Sequence, residues 1–150
     1  MKIKHYIPVW CILLLLVTAC GRQSAPTTIG VPTSTPIPRP EPGKATVTGK
    51  LFSTTSDKPL PKTAVWLAEV VRQGEQGAYV LDAVFSPGVY ADENGIFVIS
   101  NVVPGEYVIV VGDPESQYEI ISESSGKAKV WNIPADQIYD VGELKVTLTK

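Results

Sequence analysis

The stretch that decides the fold is Tyr90–Val111, YADENGIFVISNVVPGEYVIVV. It reads as turn, apolar run, turn, apolar run. In the first turn Asn94-Gly95 supplies positive φ, and the Asp92 carboxylate is placed to accept backbone N–H groups. Ile96–Ser100, IFVIS, is too short for a helix and reads as a strand. Pro104-Gly105 fits the two central positions of a type II turn, with Gly taking φ > 0. Tyr107–Gly112, YVIVVG, is apolar on both faces, which predicts a central strand.

The same texture extends to both sides. Thr46–Ser53 reads as a first strand, followed by a turn with two prolines. Thr63–Val71 contains good helix formers, but it is short and framed by Pro61 and Gly74, so a strand is expected. Ala78–Phe85 is expected to close a hairpin with it, and Ser86–Gly95 to be a loop. Tyr118–Ser122, Lys127–Ile133 and Gly142–Lys150 complete the set; in the last, Leu144, Val146 and Leu148 alternate with Lys145, Thr147 and Thr149. The expectation is an all-β, seven- to eight-stranded antiparallel Greek-key sandwich over residues 44–150. Its expected core is Val47, Leu51, Val65, Leu67, Val80, Phe97, Ile99, Val102, Tyr107, Ile109, Val111, Leu144, Val146 and Leu148.

Three stretches together resemble the carboxypeptidase regulatory-like domain, a transthyretin-type (prealbumin-like) sandwich. They are VTGKLFS…KPLPKTAVWL (Val47–Leu67), Tyr90–Val111 itself, and the weaker YDVGELKV (Tyr139–Val146). Asp92, Gly95, Phe97, Pro104, Gly105 and Tyr107 match that pattern, whereas Ala91 stands where Thr is usual. All are fold determinants, so the resemblance implies a fold and carries over no active site.

The N-terminus reads as a targeting segment. Lys2 and Lys4 precede an apolar run from Val9 to Val17, which is about half the roughly 20 residues a bilayer span needs. Val17-Thr18-Ala19-Cys20 resembles the bacterial lipobox, which implies cleavage before Cys20 and a diacylglyceryl group on its thiol. The expected organisation is therefore a signal peptide at 1–19, a lipidated Cys20 with a Pro/Ser/Thr-rich linker at 20–43, and the sandwich beyond. The linker favours extended polyproline II and would reach roughly 70 Å at full stretch. The expected location is extracytoplasmic, held by lipid on the cell membrane or outer membrane.

Cleavage would have chemical consequences. It removes Met1, His5 and Cys11, the only Met, the only His and one of two Cys, and with Lys2 and Lys4 it takes the net charge from -2 to -4. Without a mature histidine or free thiol, imidazole-based triads, thiol nucleophiles and Cys/His zinc sites fall away. No block of basic residues marks a nucleic-acid partner. Two acidic loops, Ala91–Gly95 and Gly112–Ser116, could offer oxygen ligands to calcium, but they lack the alternating spacing of a dedicated loop and read as polar turns. No metal or cofactor is expected, and no enzyme.

Aromatic side chains are the binding candidates: Trp66, which alternates with core-facing Val65 and Leu67, and Tyr79, Tyr90, Tyr118 and Trp131. The expected function is a non-catalytic, membrane-anchored module contacting an envelope protein or a carbohydrate. A structural spacer, a carboxylate-based enzyme and a calcium module are the competing readings.

Overall fold

The structure, a computed structural model, describes residues 35–148. The expected signal peptide, Cys20 and the linker up to residue 34 lie outside the described residues. Nine strands are present among them: β1 Ala45–Ser53, β2 Ala64–Gln73, β3 Gln76–Val80, β4 Gly88–Tyr90, β5 Ile96–Val102, β6 Gly105–Gly112, β7 Tyr118–Ile120, β8 Val130–Ile133 and β9 Gln137–Val146. A three-stranded sheet runs β5-β1-β9; a larger sheet runs β3-β2-β6-β7, with β4 also on β2 and β8 also on β6. The fold is the expected all-β sandwich, with β4 as an additional strand inside the stretch expected to be a loop.

One strand pair departs from antiparallel: β1 and β9 run parallel. Both strands enter the small sheet from the same end, and a local staple holds their starts together. The Gly43 N–H donates to Asp136 Oδ1 at 2.5 Å, and the Asp136 N–H to the Lys44 carbonyl at 2.6 Å.

The core lies between the inner faces. Phe97, 1% exposed, is the largest of its fully buried side chains, followed by Leu51, Leu67, Ile109 and Ile133. Gly49 of β1 makes room for that ring, because a Cβ there would sit 2.7 Å from both Phe97 Cζ and Val141 Cγ2. Of the expected core only Val80 is exposed, at 52%, and Leu148 is partly buried. Val80 ends β3 because the chain turns there: Asp82 Oδ1 accepts the N–H groups of Val84 and Phe85, and this local bonding competes with a ladder. Residues 81–85 are therefore not strand. As expected, β6 is central and buried on both sides, its outer residues Val108 and Val110 joining Ala68 in a second small cluster.

The turn before β5 forms as the sequence indicates. Asp92 Oδ1 accepts N–H bonds from Asn94 and Ile96, each at 2.8 Å, and Gly95 takes φ +77°. The Gly95 carbonyl accepts the Leu51 N–H at 2.8 Å, tying the turn to β1. The corner after β5 is built differently. Gly105 is in β6 without positive φ; Asn101 takes the left-handed conformation instead, at +57°. The Tyr107 hydroxyl closes the corner by donating to the Val103 carbonyl at 2.8 Å.

The last part of the expected linker is bound to the sandwich. Thr46 is fully buried on β1, and its hydroxyl donates to the Pro38 carbonyl at 3.0 Å. Glu41 and Asn101 exchange two bonds, each of 3.0 Å, and the Thr35 hydroxyl donates to Asp92 Oδ2. A buried hydroxyl needs a partner, and here the strap 35–43 supplies it.

Two outcomes follow for stability. Gly95→Ala puts a Cβ 2.6 Å from the Leu51 carbonyl at positive φ, and is expected to cost about 1–3 kcal/mol in denaturant unfolding. Partial burial raises the Asp92 pKa, but bonds from Thr35, Ile96 and Asn94 together outweigh it and hold the carboxyl below its ordinary value. The carboxylates of Asp57, bonded to Lys145, and Glu106, bonded to Arg72, are lowered too. Native values below unfolded ones mean that this stability is present above about pH 4 and is lost as pH falls through the native values. Asp92→Asn should flatten the acid limb of a stability-against-pH curve.

Candidate functional site

Strand pairing decides which aromatic residues share a face. In β2, Val65 and Leu67 point into the core, so Ala64, Trp66, Ala68 and Val70 lie on the outer face of the large sheet. Tyr90 is opposite Ala64, and Tyr79 opposite Val70. In β6 the outer residues are Val108, Val110 and Gly112, and Tyr118 is opposite Gly112. Directly opposed residues share a face, so Trp66, Tyr79, Tyr90 and Tyr118 are all on the outer side. The exposures of Tyr90, Tyr118 and Tyr79 are 69%, 51% and 45%, which leaves their rings available. Trp131, expected among the exposed aromatics, is corrected to a core residue: it pairs with inward-facing Tyr107 and is 5% exposed.

Trp66 and Tyr90 meet in a cleft of about 330 Å³, where Lys62, Thr63, Asp113, Gln117 and Leu148 also contribute walls. Its position is set by two glycines. The Trp66 indole lies on the backbone of Gly88, where a Cβ would fall 2.4 Å from Cε3. Its Nε1–H donates to the Gly112 carbonyl at 3.1 Å, fixing the ring's rotation. Gly112 has φ +106°, and a Cβ on it would be 2.3 Å from the Gln117 carbonyl, so a side chain there would push away the loop that forms one wall.

That loop is a turn closed by its own hydrogen bonds. The Asp113 N–H donates to the Gln117 carbonyl at 2.9 Å, and Asp113 Oδ1 accepts the Glu115 N–H at 3.0 Å. On the opposite wall Lys62 holds positive φ, and its ammonium is 3.1 Å from Glu93 in an exposed pair. Asp113 is the one carboxylate in the lining. The two acidic loops use Asp92 and Asp113 to close their own turns, and no group of three or more metal-ligating side chains occurs among the described residues.

The cleft thus combines aromatic surface with an ammonium, a hydroxyl, an amide and a carboxylate at its rim. This suits a ligand with apolar faces and polar edges. Sequence reasoning missed Gly88, Gly112 and the Asp113–Gln117 wall. A glycine next to a tryptophan partner across a strand pair is legible only when the pairing is known. A larger depression of about 440 Å³, between Arg39–Pro42 and Asp136–Ile138, contains no aromatic ring.

No family model and no curated protein matches the chain. Solved structures do. A 9R-lipoxygenase from Cyanothece is 19% identical over 77% of this chain and 18% of its own length, at TM-score 0.42. The major pilin subunit of Bacillus cereus is 14% identical over 69% of this chain and 30% of its own, at 0.44. A candidate carbohydrate-binding protein from Pseudomonas aeruginosa is 16% identical over 72% of this chain and 92% of its own, at 0.44. The chain thus spans under a third of the lipoxygenase and of the pilin. (S)-allantoin synthase and a hydroxyquinol 1,2-dioxygenase also match, at 0.40 and 0.37. The expectation that the chain is not an enzyme is corrected here. A lipoxygenase, an allantoin synthase and a dioxygenase are among its structural matches, and at 12–19% identity that likeness shows the fold alone.

The indole's seat can be checked directly. Gly88→Ala should displace Trp66, shift its fluorescence and lower stability by about 1–3 kcal/mol through overpacking. Unchanged emission and stability would show that the ring does not lie on Gly88.

Proposed function

We propose that the protein is a lipid-anchored extracytoplasmic module that binds a glycan in the Trp66–Tyr90 cleft. The observation that carries this reading is convergence: two residues singled out as binding aromatics line one cleft, and Tyr118 and Tyr79 lie on the same face. Sugar rings offer C–H faces to an aromatic surface and hydroxyls to a polar rim. Gln117, Asp113 and Lys62 supply both donors and acceptors there. Trp66 is the fixed element, with its Nε1–H already engaged, and Tyr90 is the exposed one.

The anchor rests on Val17-Thr18-Ala19-Cys20 and the apolar run before it. Two acyl chains give stable attachment where one is marginal. Because the strap 35–43 is bound to the sandwich, the spacer is shorter than composition suggests. The fifteen residues from Cys20 to Ser34 reach about 45 Å at full extension, in place of roughly 70 Å.

Tyr90→Ala should weaken retention of envelope polysaccharide by about tenfold or more, equivalent to at least ~1.4 kcal/mol, with stability unchanged. If the parent protein retains no glycan, or the variant binds equally well, the module is a spacer or binds something else. Cys20→Ser should abolish incorporation of a labelled acyl chain; a variant that remains acylated and membrane-bound removes the anchor reading.

A further inference from the structure

The loop after β3 holds two apolar side chains in water. Val84 and Phe85 are 80% and 83% exposed, the highest values among the large apolar residues described. Their display is enforced by the backbone. Asp82 Oδ1 accepts the Val84 and Phe85 N–H groups at 2.8 and 3.2 Å. The Asp82 N–H donates to Ser86 Oγ at 2.9 Å, and the Ser86 N–H to the Asp82 carbonyl at 2.8 Å. The Pro87 carbonyl then accepts the Leu67 N–H at 2.9 Å, clamping the loop's exit to β2. Val80 and Val103, 52% and 54% exposed, share a shallow depression of about 280 Å³ with Phe85, so the apolar surface continues beyond the tip. The charged groups that border it, Asp82 and Glu69, are acidic.

A hydrogen-bonded tip with an aromatic and an aliphatic side chain, beside a depression whose lining holds two carboxylates and no cation, suits a neutral lipid surface better than an anionic one. Two side chains are too few to hold a free protein there. A tether changes that. With Cys20 in the bilayer the sandwich stays within about 45 Å of it, and a second contact becomes intramolecular, at an effective concentration near millimolar. We propose that the Val84–Phe85 tip inserts into the zwitterionic lipid surface to which Cys20 is attached, forming a second contact that orients the sandwich. This rests on the lipid-anchor reading.

The test uses the mature chain from Cys20 to Lys150, coupled through its single thiol to a maleimide lipid in phosphatidylcholine vesicles. Phe85→Trp adds a reporter at the tip; the unsubstituted protein, coupled alike, gives the background of Trp66 and Trp131. The added emission is expected to shift to the blue and to be quenched by bromine-labelled acyl chains. Val84→Ser in the same protein should reduce the quenching by about threefold, since one of the two inserted apolar side chains is lost. Added emission that stays water-like and unquenched overturns insertion and assigns the tip to a protein partner. Chemical coupling replaces the cell's own acylation, so this negative is separate from an absence of acyl label on Cys20, which would overturn the anchor alone.

Discussion

The carboxylate of Asp92 is the point on which the rest of the structure depends. One oxygen closes the turn into β5 by accepting from Asn94 and Ile96; the other receives the Thr35 hydroxyl and so fixes the incoming strap. The same turn reaches both sheets. The Gly95 carbonyl bonds Leu51 of β1, and Ala91 exchanges backbone bonds with Lys62 and Thr63 at the start of β2. The turn that this side chain closes thereby joins β5, β1 and the start of β2 beside the cleft, where Lys62, Thr63 and Tyr90 are neighbours of these bonds. Such a group is effective because several donors converge on it where water is partly excluded.

How much of this was legible in sequence depends on the range of the interaction involved. Alternation and turn chemistry are local, so the strands around Phe97, Ile109 and Val146 and the Asp92–Gly95 turn could be read directly. Errors arose where a local rule met a competing bond. Ala78–Phe85 has strand composition, yet the Asp82 side chain captures two backbone N–H groups and ends β3 at Val80. Pro104-Gly105 has turn composition, yet Gly105 pairs with Ile133 in a ladder and the left-handed position passes to Asn101. The strap 35–43 has linker composition; its docking depends on the buried Thr46 hydroxyl and on Asp136, 93 positions from Gly43.

The cleft was legible in part for the same reason. Alternation in β2 placed Trp66 on the outer face, and the presence of candidate rings followed from composition. Their convergence did not, because it is set by registers: Tyr90 opposite Ala64, and Tyr118 opposite Gly112. Trp131 shows the limit from the other side. Its neighbours Val130 and Asn132 point outward, but only its pairing with Tyr107 reveals that its own side enters the core.

The parallel pairing of β1 with β9 has a consequence in time. The first strand of the sandwich is completed by the last, and Gly43 is stapled to Asp136 across 93 positions. Contacts so distant in sequence form late, because loop closure must precede them. The small sheet therefore cannot be completed until β9 has been synthesised, whereas every strand of the larger sheet precedes β9 and is available to pair before it.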